Sequence, residues 1–148
     1  MIRVATEADI DPLLVMCRNF VQFAPHARIV GATDESLTQA IKFVMNQGRI
    51  FVAESGGVVV GMLMAVIYPV WFAPQSKCAM ELVWWVEPEH RGSTIAIRLV
   101  KEFEEWGRMQ GATMATMGDF VVDGQPPVGE MIMRMGYALS ERAFAKGL

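Results

Sequence analysis

Cysteine and histidine are scarce in this chain, with two of each in 148 residues. Cys17 and Cys78 show no metal-like spacing, and neither has an obvious activating histidine beside it. They read as reduced core thiols of a cytoplasmic protein rather than as a disulfide, and no metal site is expected. His26 and His90 both fall in loop segments and are not candidates for catalysis. No basic block occurs anywhere, and the net charge of −3 is mildly acidic, which argues against a nucleic-acid binder. The N-terminus, Met1-Ile2-Arg3-Val4-Ala5, has no basic region followed by an apolar run, so no secretory leader is expected. Charge is also missing from Gly56 to Pro74. That run is β-branched, opens on Gly-Gly and carries Pro69, so it reads as buried strand rather than as a membrane span. Repeats, linkers and low-complexity tracts are absent too, and a single domain over residues 1–148 is expected.

What is present is an apolar fraction of 53%, enough at this length to build a core. Ile2 to Ala5 reads as a short strand. Thr6 with Asp9 forms a capping box ahead of a helix whose apolar positions are Ile10, Leu13, Leu14, Cys17, Phe20 and Val21. Pro25 ends it, Ala24 to Ala32 is a loop, and a second helix starts near Thr33-Asp34, burying Leu37, Ile41, Val44 and Met45 up to a C′ glycine at Gly48. Ile50 to Glu54 and Val58 to Tyr68 are strands joined by Ser55-Gly56-Gly57. An aromatic loop between Pro69 and Pro74 follows, then a strand from Lys77 to Val86. Gly111 stops the next helix, Thr113 to Met117 is a strand, and a loop runs from Gly118 to Pro127, where Pro127 suits the first turn of a short helix. That helix reaches about Met135, and Tyr137 to Ala145 is a last strand. On pattern alone this is an α/β domain with a mixed, mostly antiparallel sheet.

The segment Glu81 to Gln110 organises the rest. The apolar strand Glu81-Leu82-Val83-Trp84-Trp85-Val86 ends at Glu87-Pro88, and His90-Arg91-Gly92-Ser93-Thr94 leads straight into an amphipathic helix with Ile95, Ala96, Leu99, Val100, Phe103 and Trp106 on one face. A strand, turn and helix of this kind present free backbone N–H groups at the positive end of a helix dipole, which suits a phosphate.

Val86-x-Pro88-x-x-Arg91-Gly92, followed by Ser93-Thr94-Ile95-Ala96, resembles the acyl-CoA loop of the GNAT superfamily of N-acetyltransferases. The family pattern is Gln/Arg-x-x-Gly-x-Gly/Ala; Arg91 and Ala96 fit it, and Thr94 stands where glycine is usual. Arg134-Met135-Gly136-Tyr137 is similar to the family's junction between last helix and last strand, and the order β-α-α-β-β-β-α-β-α-β is that of its fold: an α+β, three-layer arrangement with a mixed, mostly antiparallel sheet flanked by helices. The resemblance implies acetyl-CoA as co-substrate and an amine, of a small molecule or a peptide or protein, as acceptor. It implies that Trp84, Trp85 and Val86 hold the pantetheine arm, and that Arg91, Gly92, Ser93, Thr94, Ile95 and Ala96 hold the pyrophosphate.

Glu81 is the expected catalytic base, being the one charged residue from Cys78 to Val86; the bland alternative is a solvated or salt-bridged strand residue. Asp119 and Glu130 are weaker candidates. The family's usual tyrosine acid falls at Ile132, which leaves Tyr68, Tyr137 or water for that part. The Pro25–Ala32 loop and Trp71-Phe72 border the substrate mouth by analogy; the two aromatics equally suit a homodimer patch. The rival functional reading is a catalytically impaired CoA-binding or protein-interaction module of the same fold.

Overall fold

The computed structural model describes residues 1–121 and 128–148. Strands β1 (Ile2–Val4), β2 (Arg49–Ser55), β3 (Val58–Val70), β4 (Ala73–Val86) and β5 (Ala112–Thr116) form one sheet in sequential order. The first three pairings are antiparallel, and β4 pairs with β5 in parallel. A parallel neighbour requires a crossover, and helix α3 (Ile95–Met109) supplies it. Helices α1 (Ile10–Phe23) and α2 (Asp34–Gln47) lie between β1 and β2 in the chain, and a short α4 (Gly129–Arg134) comes last.

The sheet divides the core into two layers. On one face Leu13, Met16, Ile41 and Val44 pack on Val52, Met62, Met64 and Trp85. On the other, Leu99, Val100 and Phe103 pack on Phe51, Leu63, Ala65 and Val86. Because both faces are covered, the central strands are apolar almost throughout, which explains the uncharged run from Gly56. Gly56 and Gly57 turn the β2–β3 hairpin with φ of 58° and 79°, where a side chain would be strained.

The entry into α1 is fixed by charge. Asp9 is 4% exposed and receives both terminal nitrogens of Arg3 at 2.8 Å, together with the Thr6 N–H at 2.7 Å. Arg3 also donates from Nε to Glu54 at 2.9 Å, so β1, β2 and the start of α1 share one guanidinium. That guanidinium, helped by Thr6, holds the Asp9 carboxyl down at about 2 against the cost of burial.

Three expectations are corrected. The segment between Pro69 and Pro74 is no loop: β3 and β4 continue through both prolines and only Trp71-Phe72 turns. Proline is tolerated there because the ladder is already irregular at the hairpin's far end. Gly48 does close α2, but at φ −138° and not in the left-handed conformation; it is glycine because an added Cβ would lie 2.1 Å from the Ala65 carbonyl. The last strand does not form, and residues 137–148 carry no ladder. Beyond Tyr137 the tail leaves its large apolar side chains outside the core, with Leu139 72% and Phe144 95% exposed. Pro127 lies outside the described residues.

Asp9→Ala strips Arg3 of its bidentate partner and the Thr6 N–H of its acceptor. Urea denaturation at pH 7 should register a loss of about 2–3 kcal/mol. Since Asp9 titrates below its ordinary range, its contribution is present above that range and fades as pH falls toward 2; the gap between variant and wild type should narrow there.

Candidate active site

Strand β4 breaks its own regularity at the point where it matters. Met64 pairs with Val83 and Ala65 with Glu81, which leaves Leu82 as an extra residue, a β-bulge. The bulge shifts the alternation: Ala79 packs on the α3 face before it, Trp84 and Val86 after it, while Trp85 turns to the α1 face. On its other side β4 pairs with β5 only as far as Met80 and Thr116. Among the described residues, the last six of β4, Glu81 to Val86, therefore have no strand neighbour on that edge.

A cavity of about 420 Å³ opens in this parting. Its walls come from both faces of the sheet: Trp84, Val86, Ala96 and Met131 from the α3 and α4 side, Phe20, Phe23 and Trp85 from the α1 side, with Glu81, Leu82, Gly118 and Phe120 between them. The cleft thus passes through the sheet instead of lying on it. The indole N–H groups of Trp84 and Trp85 are buried without an acceptor among the described residues. Buried donors of that kind are uncommon, and a ligand carbonyl would satisfy them.

At one mouth lies the turn into α3. Gly92 has φ 78°, Thr94 is helical at φ −78° and ψ −2°, and the side chains of Ser93 and Thr94 are exposed. Ser93 donates its hydroxyl to the His90 carbonyl at 2.6 Å, which pins the turn. Among the described residues, the N–H groups of Gly92, Ser93, Thr94, Ala96 and Ile97 have no acceptor. Free amides at a helix start form an anion site, with the dipole worth up to about 2 kcal/mol. Arg91 sits beside it, its Nε donating to the Val86 carbonyl at 2.9 Å and its guanidinium 4.6 Å above the Trp85 ring.

Glu81 stands on the cavity wall at the fork. Its Oε2 accepts the Gly118 N–H at 3.0 Å, and no cation pairs with it among the described residues. Burial pushes the carboxyl up to about 7, opposed by the Gly118 bond. The group is thereby divided between acid and base forms near neutrality.

The sequence profile of the Acetyltransferase (GNAT) family matches residues 17–137. The chain belongs to the GNAT family of acetyltransferases. No curated protein matches it in sequence. Solved structures with the same fold include a transcriptional regulator from Bacillus halodurans C-125, at 19% identity and TM-score 0.78 over 100% of this chain and 99% of that one. Another is AAC(6')-Iy in complex with the bisubstrate analogue CoA-S-monomethyl-acetylneamine, at 18% identity and TM-score 0.77 over 99% and 95%. A third is the aminoglycoside antibiotic 6'-N-acetyltransferase AAC(6')-IG from Acinetobacter haemolyticus, at 22% identity and TM-score 0.71 over 100% and 99%. At such identities the likeness speaks for the fold.

In this GNAT domain Glu81, Trp84, Trp85, Val86, Arg91 and Ala96 all line the cavity, while Gly92 to Ile95 form the turn at its mouth. Asp119 also lines it, but its carboxylate is taken up by the N–H groups of Val128 and Gly129 at 3.3 and 3.0 Å, so it caps α4. Glu130 is exposed, pairs with Arg134 and does not line the cavity. Ile132 is buried, and neither tyrosine considered in its stead lines the cavity. The Tyr137 hydroxyl is buried without a hydrogen-bond partner among the described residues, and burial together with nearby Glu104 raises it far above the ordinary phenol range. Trp71 and Phe72, expected at the mouth, stack on each other at the hairpin tip, 88% and 71% exposed and apart from the cavity. Sequence reasoning missed Phe23 and Phe120 and assigned Phe20 to the core alone. The available signal was Phe20-x-x-Phe23, two aromatics one helical turn apart at the end of α1.

Because Glu81 is raised above its ordinary value, the fold favours its protonated form. That contribution is intact below about pH 4.5 and is lost as pH rises through 7. Glu81→Gln should therefore be more stable than wild type at pH 8, on the order of 2 kcal/mol once water access is allowed for, and indistinguishable from it near pH 4. Thermal melts across that range read the crossover.

Proposed function

We propose that this protein transfers the acetyl group of acetyl-CoA to a primary amine by direct attack within a ternary complex. The observation that carries the reading is the unpaired edge Glu81–Val86, opening on a cavity that joins bare helix-start amides to a half-buried carboxylate. The pyrophosphate would rest on the amides from Gly92 to Ile97, and the pantetheine arm would lie along the edge that β5 leaves free. Thr94 does not prevent this, since its side chain is exposed and its backbone is helical.

An alkylamine with a pKa of about 10.4 is mostly protonated at pH 7, and making it neutral costs about 4.6 kcal/mol. Glu81 accepts that proton and the apolar cavity favours the neutral amine. The amine nitrogen then bonds to the thioester carbonyl carbon and loses a second proton to water, the carbon–sulfur bond breaks, and the thiolate takes a proton from water or from protonated Glu81, leaving the amide and CoA thiol. Relatives of this fold that act on aminoglycosides are consistent with an amine acceptor.

A second reading, a CoA-binding module without turnover, draws on buried Ile132 where a hydroxyl acid is usual. A thiol-release assay over a panel of amines separates the two: calorimetric binding of acetyl-CoA with no release would leave only the module. Acetyl-CoA should bind wild type and Thr94→Gly within threefold of each other, and Gly92→Ala, strained at φ 78°, about tenfold more weakly. For the enzyme, kcat/KM should rise with pH through an inflection near 7; Glu81→Gln should abolish the inflection and cost roughly 10²–10⁴ in rate.

A further inference from the structure

Resting on the cofactor part of the transferase reading, we infer that Arg91 is a positioning residue, a clasp that caps the free edge of β4 and fixes the Trp85 indole, rather than a ligand of the pyrophosphate. The backbone register places its bond. Gly61 of β3 stands opposite Val86 of β4, and the next N–H along, that of Glu87, bonds the Val60 carbonyl at 2.9 Å. Gly61 and Val86 are therefore a pair of the non-hydrogen-bonded kind, in which each residue turns its N–H and C=O away from the other. The register is unbroken from Val86 back to Trp84, so Trp84, opposite Leu63, is oriented in the same way. The N–H and C=O groups of both residues point to the edge that β5 leaves free. Arg91 takes one of them out of play, since its Nε donates to the Val86 carbonyl at 2.9 Å. The Val86 N–H is then the last group open to an arm lying along the strand, and beyond it the arm must turn off toward the bare amides of Gly92 to Ile97.

The guanidinium plane has a second task. Its carbon lies 4.6 Å from the centre of the Trp85 ring. That indole belongs to the aromatic end of the cleft, where Phe20 meets it edge-on at 6.4 Å and Phe23 tilts against it at 5.7 Å. Trp85 packs in the α1 layer, whereas the turn that carries Arg91 leads into α3 on the other face. One side chain thus reaches around the end of β4 and joins the two layers at the mouth of the cleft. No carboxylate pairs with Arg91 among the described residues. It is held by a carbonyl and a ring face, which calls for a planar cation with a donor at Nε; the flexible point charge of lysine does not reproduce it.

The test uses two ligands that share the arm: acetyl-CoA, and S-acetylpantetheine, which carries no phosphate. Arg91→Met should weaken both about tenfold, and within twofold of each other, by calorimetric titration of the first and its displacement by the second. Arg91→Lys should bind acetyl-CoA within twofold of Arg91→Met, because charge alone does not restore the clasp. Arg91 is exposed, so both variants are expected to fold, and melting temperatures verify it. A loss confined to acetyl-CoA, or rescue by lysine, makes Arg91 a phosphate ligand; either overturns the inference and leaves the cofactor reading standing. Failure of the wild type to bind acetyl-CoA fells the cofactor reading instead. In that case, or where S-acetylpantetheine binds too weakly to read, the free protein decides. In protein labelled with 5-fluorotryptophan, Arg91→Met should shift or broaden the Trp85 fluorine resonance, assigned through Trp85→Phe, and leave that of Trp71 at the distant hairpin tip in place. An unmoved Trp85 resonance overturns the clasp.

Discussion

The structure turns on backbone groups that have no strand to bond. A strand inside a sheet normally satisfies its amides and carbonyls on both sides, and leaving such groups buried and single is expensive. Here β4 loses its β5 neighbour after Met80 while it continues for six more residues. The opening is held by features on either side of it. The Leu82 bulge bends β4, α3 carries the chain over the top, and the Gly118 amide leaves the line of β5 to bond Glu81. Arg91 fastens the end of the free edge through the Val86 carbonyl. The cavity is what remains when those constraints are met.

The same parting determines the electrostatics. Glu81 sits where water access is limited and no cation was supplied, so its proton affinity rises. Asp9 is the internal contrast. It too is little exposed, but four donors from Arg3 and Thr6 converge on it and its proton affinity falls. Two carboxylates in one small domain are driven in opposite directions by the presence or absence of donors. The first lies on the cavity wall, the second anchors the entry to α1.

Much of this was legible in the sequence because the signals were local. The helical spacing of Leu99, Val100, Phe103 and Trp106, the Gly56-Gly57 turn, the Thr6–Asp9 cap and the Arg91-Gly92 turn each occupy a few adjacent residues, and each physical cause is short-ranged. Glu81 stood out as a lone charge in an apolar strand. What could not be read depends on distant pairing. The bulge at Leu82 exists only relative to β3, and the fork only relative to β5. The aromatic end needs Phe20 and Phe120, a hundred positions apart in sequence, at 5.3 Å. The tail after Tyr137 was misread because its length and alternation suit a strand, whereas an edge forms only where it buries something.

Gly118 and Asp119 are neighbours in sequence with separate duties, one donating to Glu81 and the other receiving the first amides of α4. Gly129 has no room for a side chain against that second contact, an added Cβ falling 2.8 Å from the Asp119 carboxylate. Two adjacent residues therefore connect the helix to Glu81. Any displacement of α4 as cargo enters the passage would be felt at Glu81 as a stretched or tightened N–H bond, and its readiness to take a proton would be tuned by occupancy of the far wall.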